Sequence, residues 1–365
     1  MHSAPTLQES VSLKERTTLN VGGQARYFID ATTIEQVRSA VRFARKRELP
    51  LFILGGGSNI LISDEGYRGV VLSLSMRETQ FNEDGTTIAS AGVVWDELVT
   101  ETIARELSGL ECLSGIPGTV GGAVVANAGA YGAECSDVFV SAEVIDLIDP
   151  TLPLITLRKD ACAFSYHDSM FSRESAQYAI VSVTLKLIPG GSSQSTYRDY
   201  RFEIPRADPK SSPSLQEVRT RVLDIREKKG ALILYGRESY QCAGSFFHMP
   251  FVTAEQYEAV LSKAQELDAS KERMLRPWFW KQLNGSYKLA PGFLLEFTEF
   301  QKGYIRGAVG ISPRHTLSII NRGGATAADI AQLAKDMQQR VATLFGVFLE
   351  QEVVSVGFNE SVKII

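Results

Sequence analysis

Ser114–Gly132 reads SGIPGTVGGAVVANAGAYG and carries six glycines in nineteen residues without one basic side chain. Glycine at that density weakens a helix or strand interior, each one costing about 0.5–1 kcal/mol relative to alanine. What it offers in return is close approach of backbone N–H groups to a ligand. A second loop of this kind, Gly55-Gly56-Gly57-Ser58-Asn59, follows the apolar run Leu51–Leu54. Two separate loops of bare amides suit a pyrophosphate met by dipoles rather than by lysine, and so point to a bound dinucleotide. Neither loop has the common fingerprints. No GxGxxG opens a helix after a strand, which leaves a Rossmann site poorly supported, and GxxxxGK[ST] is absent, which removes the P-loop reading.

Composition is that of an ordinary globular enzyme. The 365 residues are 44% apolar and 22% charged, and at about 100–200 residues per domain they predict two or three domains. A net charge of −4 argues against a nucleic-acid surface, which needs a basic face. No apolar run reaches the length of a membrane span, about 18 residues. The opening MHSAPTLQESVSLKER lacks the apolar stretch of a signal peptide, so a cytoplasmic, membrane-free protein is expected. Cys112, Cys135, Cys162 and Cys242 form no CxxC pair and have no histidine at metal spacing. They predict reduced, buried thiols and no metal.

The periodicities alternate between helix and strand. Thr33–Leu49 has helical spacing through Val37, Ala40, Val41 and Ala44, opened by Thr33 with Gln36 three residues on. A helix is predicted from Trp95 to Leu107, stopped by Gly109, and a half-buried strand over Ala179–Leu187. Further helices are predicted over Ala254–Leu267 and Ala327–Phe345, and a last strand over Val347–Val356. The proline- and serine-rich stretch Pro189–Pro213 reads as a loop or lid. The expected organisation is 1–75, then 76–228 with a mobile loop at about 189–213, then 229–347, and a terminal segment 348–365.

Beyond these patterns, TTLNVGGQA, ILGGGSNIL, LSGIPGTVGGAVVANAGAYG, AGSFF, YKLAPGFLLE, KGYIRGAVGISPRHTLSIINRGGATAADI and FGVFLEQEV resemble, in order, the landmarks of the UDP-N-acetylenolpyruvoylglucosamine reductases, the MurB family. The match runs from Thr17 to about Phe358. The resemblance implies an α+β fold: a two-part FAD-binding region of the vanillyl-alcohol-oxidase and MurB type, followed by a C-terminal α+β substrate-binding domain. It also implies NADPH as hydride donor, a UDP-sugar substrate of peptidoglycan precursor synthesis, and a monomer.

Roles follow from the same resemblance, residue by residue. Gly55, Gly56, Gly57, Ser58 and Asn59, with Ile116, Pro117, Gly118, Thr119, Gly121 and Gly122, would wrap the FAD pyrophosphate and ribityl chain. Asn127, Gly129, Ala130 and Tyr131 would border the flavin. Ser245 matches the serine that protonates the substrate carbon after hydride arrives, and Glu352 the active-site glutamate. Tyr197 matches a tyrosine of the mobile loop, Arg226 and Lys229 a cationic pair near the diphosphate, and Tyr166 a substrate-side tyrosine. Neither histidine nor cysteine lies in 55–59 or 116–131, so the flavin is expected to be held non-covalently.

Three positions depart from the family. His167 stands where an arginine usually holds the substrate carboxylate, and the resemblance then asks it to act as an imidazolium whose charge depends on pH. His248-Met249-Pro250 replaces Lys-Asn-Pro after the GSFF stretch, and Phe297 replaces a polar residue. All three lie on the substrate side. Two readings stay open: the reductase itself, or a flavin oxidoreductase of the same fold acting on another small molecule.

Overall fold

The computed structural model describes residues 6–190, 193, 213–233, 241–275 and 278–358. In the first region the strands Thr6–Ser12, Gln24–Ala31, Tyr67–Leu74 and Leu51–Leu54 lie side by side in that order. The last three run parallel. The helix Ile34–Lys46 covers them with Val37, Ala40, Val41 and Ala44, all buried, and Thr33 caps it by accepting from Gln36 N. It stops short of Leu49 because Glu48 adopts a left-handed backbone (φ 53°).

The second region is an antiparallel five-stranded sheet ordered Leu154–Arg158, Phe139–Asp146, Tyr178–Lys186, Thr86–Ser90 and Thr79–Phe81. Val181, Val183 and Leu185 are buried, as their alternation predicts. The helix Trp95–Ala104 packs through Leu98, Val99 and Ile103. The fully buried Trp95 donates its indole N–H to Leu113 O at 3.1 Å, tying this helix to the approach of the main glycine loop.

A third region joins the four-stranded sheet of Gln241–Cys242, Ile319–Asn321, Val309–Ile311 and Ile305–Arg306 to a three-stranded one of Phe251–Val252, Tyr287–Leu289 and Phe279–Lys281. The helix Ala327–Phe345 has the predicted bounds, opened by the Thr326/Asp329 capping box and closed by Gly346 at φ 66°. The helix predicted over Ala254–Leu267 continues to Leu275 across a break at Asp268. The Asp268 carboxylate accepts from Ser270 N and Lys271 N, which restarts the helix as a new N-terminus.

After the third region the chain returns. Gln351 bridges to Phe247, and Val354–Val356 then pairs in parallel with Ile60–Ile62 of the first region. The predicted terminal strand thus splits into two short contacts with different partners.

Candidate active site

The two glycine loops lie face to face. Ser58 Oγ donates to Pro117 O at 3.1 Å, and a Cβ on Gly56 would collide with the Gly118 backbone. Around the 118–121 turn, Trp95 N donates to Gly118 O, Val120 N to Val93 O and Gly121 N to Ala91 O. By contrast, the amides of Gly56, Gly57, Ser58, Asn59, Ile116, Gly118 and Thr119 donate to no acceptor among the described residues. Unspent N–H groups from two facing loops form an anion cradle. Gly55, Thr119 and Gly122 line one hollow: a Cβ on Gly55 would stand 3.3 Å from Thr119 Oγ1, and one on Gly122 3.5 Å from the same atom. Gly121 is different. Its Cβ would meet Ala91 Cβ at 2.9 Å, so glycine there serves packing against the protein rather than approach to a ligand.

A second constellation gathers where the third region meets the returning segment. Glu352 N donates to Phe246 O and His248 N to Glu350 O, each at 2.9 Å, which sets the GSFFH stretch beside Glu350–Glu352. Asn59 Nδ2 donates to Glu352 O at 3.3 Å, so the cradle loop also holds this segment. The Glu352 carboxyl then lies between two imidazoles, with His167 Nδ1 at 3.6 Å from Oε1 and His248 Nδ1 at 3.8 Å from Oε2. His167 occupies a two-residue turn between Ser165 and Asp168, with a left-handed backbone (φ 49°). That turn is anchored by the main glycine loop: Asn127 Nδ2 donates to Ser165 O at 2.8 Å and Ser169 Oγ to Val125 O at 2.6 Å. Tyr166 packs edge-on against His167, and Lys288 Nζ lies 3.3 Å from the Tyr166 ring centroid.

Burial governs the protonation of this cluster. It pushes the Glu352 carboxyl up to about 7 and, aided by His248 and Lys288, holds the His167 imidazole down at about 4. Between those values both groups are neutral, the carboxyl keeping its proton and the imidazole lacking one. In the free protein His167 is therefore neutral, and the imidazolium that the resemblance asks for would need a bound carboxylate to raise it. Because Glu352 ionises near 4.5 in an open chain, the folded protein binds the extra proton between pH 4.5 and 7. Its stabilising contribution is complete below pH 4.5 and is lost as pH rises through 7. At pH 8 Glu352→Gln should therefore raise stability, by at most about 3 kcal/mol, and at pH 4.5 the gain should vanish. Chemical denaturation at the two pH values checks this.

The other expected residues divide. Ser245 sits at the start of the GSFFH stretch, partly buried, its hydroxyl without a hydrogen-bond partner among the described residues. Asn127 is fully buried and spends its amide on Glu134, Ser165 and Ser136. Gly129–Ala130 pairs with Ala133–Glu134 around a turn that carries Tyr131. Arg226 donates to Gly115 O at 3.1 Å and Ala231 O at 2.9 Å, so it braces the main glycine loop rather than joining the Glu352 cluster. Lys229 Nζ lies 5.7 Å from the Tyr131 ring centroid. Tyr197 lies outside the described residues, as does most of 189–213. Lys288 was not anticipated as a site residue. Its place in the strand Tyr287–Leu289, beside the buried Leu289, was the only local signal.

Comparison with known proteins bears on the same two halves. Residues 25–149 match the FAD binding domain family. Residues 237–356 match the family described as UDP-N-acetylenolpyruvoylglucosamine reductase, C-terminal domain. The UDP-N-acetylenolpyruvoylglucosamine reductase of Thermobifida fusca is 32% identical, over 95% of this chain and 97% of its own length. That of Streptomyces avermitilis is 35% identical, over 98% and 95%. The solved structure of UDP-N-acetylenolpyruvylglucosamine reductase from Thermus caldophilus aligns with a TM-score of 0.61 at 25% identity, covering 96% of this chain and 99% of the other.

Proposed function

Since the chain belongs to the UDP-N-acetylenolpyruvoylglucosamine reductase family, we propose that it carries out that reaction. It reduces UDP-N-acetylglucosamine enolpyruvate to UDP-N-acetylmuramate with FAD and NADPH. The observation that carries this reading is the pairing of an amide cradle with a half-buried, proton-bearing carboxyl. The unspent N–H groups of 56–59, 116, 118 and 119 fit a pyrophosphate, and the hollow at Gly55 and Gly122 leaves room for the chain beyond it. When bound, FAD supplies the passage of hydride from NADPH to the substrate.

The protein's own residues do the remaining work. Hydride arriving at the vinyl carbon leaves negative charge on the neighbouring carbon and carboxylate. Ser245 is assigned the proton delivered to that carbon, and Glu352 the support or resupply of that proton. His167, neutral in the free protein, is assigned as a hydrogen-bond partner to substrate or to Glu352, and Tyr166 and Lys288 as the adjoining wall. Arg226 and Lys229 are assigned to hold the 115–131 loop against the substrate side, and Tyr197 to the loop over the UDP-sugar. We assign 1–75 and 76–228 to the cofactor, 229–347 to the substrate, and 348–365 to the returning segment, in a monomeric, cytoplasmic enzyme. Among the described residues no helix is long and apolar enough to cross a membrane.

The test is direct. Purified protein should be yellow, release intact FAD on denaturation, and bleach with NADPH; the enolpyruvyl UDP-sugar should then restore the colour. Protein that bleaches but is not recoloured by that sugar would contradict the substrate assignment.

A further inference from the structure

Reducing a carbon–carbon double bond with NADPH takes up one hydride and one proton. The hydride carries both electrons, and the proton comes from solvent once per turnover. A carboxyl that gives up a proton in each turnover must therefore regain one. Glu352 exposes only 22% of its side chain, and each of its oxygens faces an imidazole Nδ1. The two imidazoles have unlike surroundings. His167 has Tyr166 edge-on against it and Lys288 nearby, with Lys288 in turn under the field of Glu134. A cation at His167 would be repelled. His248 follows the GSFF stretch beside Glu350 and lies in the field of Asp168 as well. Both acids favour a proton there, against the burial that opposes it.

We propose that His248 returns the proton to Glu352 in each turnover, while His167 holds the opposite carboxyl oxygen as a neutral partner. This rests on the role assigned to Glu352 above. His248 acts through Glu352, so it is a positioning residue rather than a catalytic one. Its ring takes a solvent proton at Nε2, passes the Nδ1 proton to Oε2 of the ionised carboxyl, and returns to the neutral Nδ1–H tautomer by exchange with solvent before the next turnover. No electrons move in this step. Neither imidazole belongs to the pattern that the chain otherwise resembles.

The experiment compares steady-state turnover in His248→Ala, His248→Asn and the unsubstituted enzyme, with added imidazole or pyrazole. Asparagine places an N–H donor near the position of Nδ1 but cannot carry the proton. Pyrazole has the shape of imidazole but stays unprotonated near neutral pH. Turnover should fall about 10²-fold in both variants. In His248→Ala it should recover with imidazole, in proportion to the imidazolium present, and not with pyrazole. The infrared band of the protonated Glu352 carboxyl, assigned with Glu352→Gln, should persist in both variants, showing that the acid itself is intact. Turnover at the parent rate in either variant, rescue by pyrazole as well as imidazole, or rescue by neither would each overturn the proposal. Failure of the underlying reading looks different: the unsubstituted, reduced enzyme would not be reoxidised by the enolpyruvyl UDP-sugar, or Glu352→Gln would turn over normally.

Discussion

Ser245→Ala is expected to slow reoxidation of the NADPH-reduced enzyme by the enolpyruvyl UDP-sugar by about 10²–10⁴-fold, the usual worth of a positioned acid. The reductive half-reaction, in which no substrate carbon is protonated, supplies the internal reference. A serine hydroxyl is a weak acid and serves only against a strongly basic carbon held close by. The Ser245 hydroxyl has no hydrogen-bond partner to lose among the described residues, so its removal should leave the fold and the FAD unchanged. Stopped-flow absorbance separates the two half-reactions. Reoxidation at the parent rate in Ser245→Ala would move the proton to another donor, with Glu352 the next to test.

Gly122→Val and Gly121→Val should lose cofactor for different reasons. At Gly122 the new side chain enters the hollow it shares with Gly55 and Thr119, where nothing from the protein is nearer than 3.5 Å. The folded protein should tolerate it, while the Kd for FAD rises about tenfold to a hundredfold, the equivalent of about 1–3 kcal/mol of overpacking. At Gly121 the Cβ meets Ala91 at 2.9 Å, so the FAD-free protein itself should be destabilised by about 1–3 kcal/mol. Melting of the FAD-free variants distinguishes the two. Equal melting temperatures would mean that the glycines share one role.

Where local rules decide structure, the sequence was legible. Thr326, Asp329 and Gly346 mark both ends of the helix Ala327–Phe345, because caps are satisfied within a few residues. The glycine loops showed their unspent amides for the same reason, since those amides have no local acceptor. Other features depend on residues far apart in sequence. Nothing near Gly121 shows that it faces Ala91, and nothing near Arg226 shows that it bonds to Gly115 O, 111 residues away. That His167 is neutral in the free protein was not legible, because an imidazole's charge follows its burial, and burial here comes from elements meeting across the whole chain. Asp268 is an instance of the opposite kind: an aspartate inside a helical period was a visible restart signal.

The pairing of Ile60–Ile62 with Val354–Val356 has a consequence for biosynthesis. The Asn59–Glu352 hydrogen bond spans 293 residues, and Val354 N closes on Asn59 O. On a ribosome, the loop at Gly55–Asn59 emerges long before its final neighbour has been translated. The early region can build its sheet and helix during synthesis, but the segment that completes this edge follows 293 residues later. Contacts of such separation also form slowly, since a long loop must close before they reward it. Flavin capture should therefore wait for residue 354, and a nascent chain stalled before it should hold the cofactor poorly even with both glycine loops already made.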